Sequence, residues 1–198
     1  MEGVGGVVLA AGSSSRMGRP KQLLRLGDVP LLQHVVDVVA AVGLQEVVVV
    51  LGHEASAVSG ALRLPEGLRA VRNAEHAAGL STSLRTGLEA FLPEIRAAVV
   101  ALGDQPELDV ASILAVVDAY RRTGARAVQA SYRGVLDHPV LLDRRVWPEV
   151  LAVTGDRGAR DVLAAHPGWL HAVELDQDPP KDVDTWGDYE ELVGRREA

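Results

Sequence analysis

The chain has 198 residues, 47% hydrophobic and 24% charged, the make-up of one globular domain large enough to bury a sizeable core. Its 20 basic and 27 acidic residues leave a net charge of −7, which argues against a generic electrostatic nucleic-acid binder and leaves an anionic substrate only a local basic pocket. The absence of cysteine excludes disulfide scaffolds, thiolate nucleophiles and zinc–thiolate sites. The N-terminus has no basic n-region, and no apolar run approaches the ~18 residues that span a membrane. A cytoplasmic protein without membrane or nucleic-acid partners is expected.

Val4–Ala10 is a short apolar run closed by a turn cluster, the pattern of a buried strand. Leu31, Leu32, Val35, Val36, Val39 and Val42 recur at helical spacing, with Gly43 as a stop. Glu46–Leu51 is a nearly all-valine strand, followed by a short helix near 55–62 and a weak strand over 68–72. Leu80, Leu84, Leu88 and Phe91 give one apolar face to a helix that starts around Ser81 and Ser83. Ala97–Leu102 reads as another buried strand, and Val110, Ile113, Leu114, Val117 and Tyr120 mark the next helix. Strands over 127–131 and 139–142, a helix over 157–165, a strand over 170–175 and a closing helix over 185–193 complete the pattern. Strands apolar on both faces, alternating with amphipathic helices, predict an α/β fold: a Rossmann-like three-layer sandwich with a mostly parallel central sheet. No repeat or linker interrupts it, so a single domain over 1–198 is expected. Ligands of such sheets bind beyond the carboxyl ends of the strands, which singles out loops 10–21, 52–55, 73–83, 103–109 and 176–184.

The first of these loops carries the densest chemistry. It reads Leu9-Ala10-Ala11-Gly12-Ser13-Ser14-Ser15-Arg16-Met17-Gly18-Arg19-Pro20-Lys21. Glycines let the backbone approach a ligand, and consecutive N–H groups form an anion-binding concavity. Arginine offers a planar fork to phosphate oxygens and lysine a compact charge. Lys21 and Lys181 are the only lysines beside 18 arginines, so either the ammonium is wanted at position 21 or it survives there by chance. The loop fits a triphosphate. It is not a Walker A loop, because Arg19-Pro20 separate Gly18 from Lys21, and no dinucleotide fingerprint opens the next helix.

Asp104, in Leu102-Gly103-Asp104-Gln105-Pro106, follows a buried strand at the ligand edge, where a carboxylate either holds Mg²⁺ or caps a turn. Asp182 and Asp184 alternate along an extended segment, and Asp184 suits a metal or the cap of the closing helix. Ser81 and Ser83 serve equally as helix caps or as donors to a ligand. Arg157 and Arg160, spaced i, i+3, form a candidate clamp for an anion. His138 is a candidate ligand contact or a structural hydrogen-bonder.

The segment Leu-Ala-Ala-Gly-x-Ser-x-Arg-Met-Gly-x-x-Lys resembles the signature of nucleotidyltransferases that activate phosphorylated substrates with a nucleoside triphosphate. More narrowly, the chain is similar to the molybdenum cofactor cytidylyltransferases and their guanylyltransferase relatives, over nearly its whole length. Asn73 to Ser83, Asp104, His138-Pro139-Val140-Leu141, Gly155-Asp156-Arg157-Gly158-Ala159-Arg160 and Asp182-Val183-Asp184-Thr185 match further stretches of that family. The resemblance implies that backbone from Leu9 through Ala10 and Ala11 to Gly12 lies near base and sugar, while Arg16 and Lys21 hold phosphates. It implies that Asn73 and Gly79 sit beside the base with Ser83, that Asp104 and Asp184 hold Mg²⁺, and that Arg16, Lys21 and Asp104 are catalytic. His138, Arg157 and Arg160 would meet the acceptor. Ala11, where guanylyl relatives carry glycine, points to CTP. The implied reaction moves CMP from CTP to the terminal phosphate of molybdopterin, releasing pyrophosphate. The product would then pass to cofactor-receiving molybdoenzymes or their chaperones. Two alternatives stand beside it: the same chemistry with another nucleotide or with a sugar phosphate, alcohol phosphate or phospholactate, and a non-catalytic nucleotide or cofactor carrier.

Overall fold

The structure, a computed structural model, describes residues 1–197. Its first half contains β1 (Val4–Ala10), the two-residue strands β2 (Arg25–Leu26) and β3 (Val29–Pro30), α1 (Leu31–Ala41), β4 (Glu46–Leu51), α2 (Ala55–Ala61), β5 (Leu68–Arg72) and α3 (Leu80–Glu89). There follow β6 (Ala97–Leu102), α4 (Val110–Thr123), β7 (Ala127–Tyr132), β8 (Val135–Asp143), α5 (Trp147–Leu151), α6 (Ala159–Ala165), β9 (Leu170–Leu175) and α7 (Trp186–Glu197).

Seven strands form one sheet in the order β5-β4-β1-β6-β8-β7-β9. β1 is an inner strand, parallel to both β4 and β6, and each of its residues is buried because helices cover both faces. Successive valines alternate between the two cores. Val8 and Val49 face α1 and α4, with Val35, Val36, Val116 and Val117. Val7 and Val48 face α3, α5 and α6, with Leu84, Leu88, Trp147 and Leu163. Only β8 runs against the others. Arg133 and Gly134 both have positive φ, 49° and 86°, so β7 returns directly into β8 through a two-residue turn instead of a helical crossover.

A third cluster matters most for the site. Met17 from the loop after β1 packs with Leu24, Leu26 and Leu31, and with Val183 and Leu192 of the C-terminal segment. This cluster draws the segment before α7 against the first loop. No helix among the described residues is long and apolar enough to cross a membrane.

The structure moves several predicted boundaries. β8 extends four residues before Pro139, because Val135–His138 lie on an exposed stretch that apolar pattern does not mark. The β2–β3 hairpin and α5 are too short to show a period. Gly158 is the N-cap of α6, so the helix starts at Ala159 and Arg157 lies in the loop ahead of it. The expected i, i+3 pairing of Arg157 with Arg160 on one helical face is therefore not formed.

Candidate functional site

Three adjoining cavities run along the carboxyl ends of β1 and β6, and Leu9 lines all of them. The first, about 250 Å³, is walled by the Gly12–Arg16 loop, Lys21, Asp104 and Asp184. The second, about 540 Å³, adds Ala11, His76, Gly79, Leu80 and Ser83. The third, about 360 Å³, is lined by Leu80, Leu84, Val140 and Leu163 with Asp137, His138, Arg160 and Asp182. Asp104 joins the first to the second, and Leu80, Leu102 and Asp156 join the second to the third.

In the first cavity the Lys21 ammonium donates to Asp104 Oδ2 at 2.6 Å and to Asp184 Oδ1 at 2.8 Å. Arg16 donates to Asp184 Oδ2 at 3.1 Å. Lys21 is 9% exposed, although its loop lies outside the main cores. Burial alone would lower its pKa, but the charge and hydrogen bond of Asp104, then those of Asp184, outweigh that and raise it. The Lys21 hydrogen bond, opposed by burial and aided by the Lys21 and Arg16 charges, holds the Asp184 carboxyl below the usual range.

Two sequence ambiguities resolve here. The cap of α7 is Thr185, whose Oγ accepts from Asp188 N at 3.2 Å while Asp188 accepts from Thr185 N at 2.7 Å. Asp184 is thereby left with its carboxylate in the cleft. Asp109, not Asp104, caps α4 by accepting from Ser112 N at 2.8 Å. The Val183 amide donates to the Asp104 carbonyl at 2.9 Å, which sets the two carboxylates side by side.

In the second cavity, Ala11 is 5% exposed, and a Cβ built on Gly52 would meet the Ala11 methyl at 2.8 Å. That methyl therefore packs toward Gly52. Asn73 is buried beneath the loop: its amide donates to Thr82 and Ser83 hydroxyls at 2.8 and 3.0 Å, and its oxygen accepts from Glu75 N at 2.9 Å. It shapes this wall without lining any of the three cavities. The N-cap of α3 is Gly79, so neither Ser81 nor Ser83 caps the helix. Gly79 has φ +111°, and a Cβ there would lie 2.3 Å from the Gly155 carbonyl carbon, so the loop before α3 and the loop before α6 touch directly. Ser81 N donates to Gly155 O at 3.1 Å across the same contact.

In the third cavity, Asp137 accepts from His138 N at 2.6 Å and Gln105 Nε2 at 3.2 Å. His138 Nδ1 lies 3.4 Å from the same carboxylate, so the histidine both lines the cavity and serves its own loop. Arg160 lines this cavity; Arg157 lines none of the three. Asp182 is exposed as a residue, but its carboxyl faces the cleft, where loss of water and then the Asp104 and Asp137 charges push its pKa up. Sequence reasoning assigned no role to Gln22, which is 3% exposed and bonds to the loop backbone from below; its only signal was a polar residue heading the apolar Leu23-Leu24.

Among the described residues no cluster of three or more His, Asp or Glu forms a complete metal cage. The pair Asp104 and Asp184 instead converges on one cationic point, now filled by the Lys21 ammonium. Two carboxylates plus substrate phosphates and water form the donor set Mg²⁺ prefers, so the residues fit such an ion.

A doubly wound sheet whose first loop brings a lysine and an arginine beside two carboxylates at the strand ends defines a phosphoryl-handling transferase site. Residues 6–171 match the MobA-like NTP transferase domain, and the chain belongs to that family. It is a nucleotidyltransferase of the MobA-like kind. It is 33% identical over 192 residues, 92% of each chain, to nicotine blue oxidoreductase of Paenarthrobacter nicotinovorans. The crystal structure of a Mycobacterium tuberculosis Rv0371c homologue from Mycobacterium sp. strain JC1 superposes with a TM-score of 0.86 at 33% identity, covering 97% of this chain and 96% of that one. Rv0371c itself, solved as a complex with manganese, gives 0.82 at 32% identity over 96% and 97%. Nucleotidyltransferases of this family generally use divalent metals.

Proposed function

We propose that the protein, acting as a single domain, transfers CMP from CTP to the terminal phosphate of molybdenum-bearing molybdopterin and releases pyrophosphate, with Mg²⁺. The observation that carries this reading is the Lys21 ammonium shared by Asp104 and Asp184 at 2.6 and 2.8 Å beside the first loop. A triphosphate offers Lys21 and Arg16 stronger partners than these carboxylates and would draw both cations onto its oxygens. Asp104 and Asp184, released, would hold the metal, which when bound offsets charge on the phosphates.

The acceptor phosphate oxygen attacks the α-phosphorus, the new P–O bond forms, and the bond to the bridging oxygen breaks as pyrophosphate leaves. A phosphate dianion is already nucleophilic near neutral pH, so no general base is required. The chain's work is positioning and charge neutralisation. Arg16 and Lys21 hold the triphosphate and stabilise the leaving group. The 540 Å³ cavity beside Ala11, Gly79 and Ser83 would take base and ribose, with Asn73 supporting its wall. The 360 Å³ cavity, lined by apolar side chains together with carboxylates, Gln129, His138 and Arg160, would take the acceptor, and Arg157, in the loop ahead of α6, would attract its phosphate.

Pyrophosphate release measured with each of the four nucleoside triphosphates, with molybdopterin, a sugar phosphate or phospholactate, tests the reading. CTP with molybdopterin should give the highest kcat/KM. A preference for GTP would replace the cytidylyl assignment, and turnover only with another acceptor would replace molybdopterin. Tight CTP binding with no pyrophosphate from any acceptor would favour a carrier. The oxidoreductase name of the Paenarthrobacter relative describes that protein; pyrophosphate release by this chain distinguishes transfer from redox chemistry.

A further inference from the structure

We infer that Gln22 is a positioning residue for the phosphate-binding loop: its side chain decides whether the loop turns amides or carbonyls toward a triphosphate. The inference rests on the nucleotidyltransferase reading of the first cavity and assigns that site a residue whose part lies beneath the loop.

Gln22 stands in the short 3-10 turn Lys21–Leu23 and is almost wholly buried. Its Nε2 donates to the carbonyls of Ala10 and Gly12, both at 3.0 Å. Its Oε1 accepts from Ser14 Oγ at 3.5 Å, and Ser14 Oγ in turn accepts from Lys21 N at 3.0 Å. The carbonyl between them, that of Ala11, accepts from His53 N at 3.4 Å. Three consecutive carbonyls are therefore held by protein donors.

A planar trans peptide points its N–H opposite its carbonyl. Holding the Ala11 and Gly12 carbonyls on the protein side therefore directs the Gly12 and Ser13 amides the other way. Among the described residues, the backbone amides of Gly12, Ser13, Ser15 and Arg16 have no protein acceptor. An anion completes them. Ser14 sits at φ +52°, a left-handed conformation that is uncommon for a side chain other than glycine. Its hydroxyl, tied to Gln22 and to Lys21 N, holds that bend and sets the start of the turn that carries the Lys21 ammonium.

Only a primary amide supplies two donors from one nitrogen together with an acceptor, and asparagine is one carbon shorter. Gln22→Met keeps the volume and leaves two carbonyls unpaired, free to swing toward the phosphates. Calorimetry with inorganic tripolyphosphate and steady-state kinetics test the inference. In Gln22→Met, tripolyphosphate binding and the KM for CTP should both weaken about tenfold or more, with kcat within about threefold and the acceptor KM unchanged. Ser14→Gly accepts the positive φ and removes the hydroxymethyl group, and with it the hydroxyl bonds, from a half-buried loop position. It should weaken tripolyphosphate in the same direction by a smaller factor, and it decides the matter if Gln22→Met does not fold. Wild-type tripolyphosphate affinity in folded Gln22→Met, or in Ser14→Gly where that variant is the only one to fold, overturns the inference; so does an equal rise in both KM values. A wild-type protein that ignores tripolyphosphate removes the anion site itself, and with it the reading on which Gln22 depends.

Discussion

Lys21 holds together two carboxylates that would otherwise repel each other across the cleft, and it does so while nearly buried. Its raised pKa means this contribution is fully present below 10.5 and is lost as pH rises through the higher folded value. The lowered Asp184 pKa means the pairing is present above 3.8 and is lost as pH falls through the depressed folded value. The Lys21–Asp184 pair therefore stays charged across the neutral range. Lys21→Ala should lower turnover by ~10² or more, the loss expected when charge stabilisation of the transferring phosphate is removed; near-wild-type turnover would show that Lys21 serves only its carboxylates. Asp104→Asn should collapse activity, with excess Mg²⁺ restoring at most part of it in a titration. Asp182 behaves in the opposite sense. Its folded pKa is raised, so the ionised carboxyl opposes folding above that value and is neutral in effect below 3.8. Asp182→Asn should raise Tm at pH 7 by roughly 1–2 °C, a small effect because solvent screens the group, and change nothing near pH 3. Equal Tm differences at both pH values would assign the effect to packing.

Elements meet at the site through contacts that no single segment announces. The Gly79–Gly155 contact joins the loop before α3 to the loop before α6, and so couples the second cavity to the third. Alanine at position 79 would strain a backbone at φ +111° and place its methyl 2.3 Å from the Gly155 carbonyl carbon. Gly79→Ala should cost about 1–3 kcal/mol of stability and raise the KM for nucleotide and acceptor together, because both walls shift. Denaturant unfolding and two-substrate kinetics measure the two effects; a rise in one KM alone would show that the walls move independently. The third core cluster acts in the same way: Met17 against Val183 and Leu192 presses the C-terminal segment onto the first loop and brings Asp184 within reach of Lys21.

At the scale of the whole molecule, acid stability follows from opposing carboxylates. Asp109, Asp137, Asp143, Asp184 and Asp188 all have lowered pKa values, while among the described carboxyls Asp182 has a raised one. Asp143 shows the cause: burial opposes ionisation, but hydrogen bonds from Arg145 at 2.7 Å and Tyr120 at 2.6 Å favour it more strongly. Groups with depressed folded values stabilise the fold above 3.8 and release that stability as pH falls through those values. Thermal unfolding should therefore show Tm nearly level around neutrality and falling steeply below about pH 4. A Tm that holds to pH 2 would mean these hydrogen bonds also form in the unfolded chain.

Hydrophobic period by itself determined the alternation of strands and helices, the parallel sheet and the loops that carry the site, because both faces of a covered sheet must be apolar and the pattern is local. β4, β5, β6 and β9 fall within their predicted bounds for this reason. The loop from Leu9 to Lys21, which lines the first cavity, was legible as a candidate site from its glycines, hydroxyls and cations alone. Tertiary structure decided the rest: the reversal of β8, whose outer half is exposed, the burial of Asn73 beneath its loop and the placing of Arg157 ahead of α6. It also decided that Thr185 and Asp109 cap helices while Asp184 and Asp104 share Lys21. A carboxylate's role depends on which distant group reaches it, and residues 21, 104 and 184 meet only because packing of Met17 and Val183 brings them together.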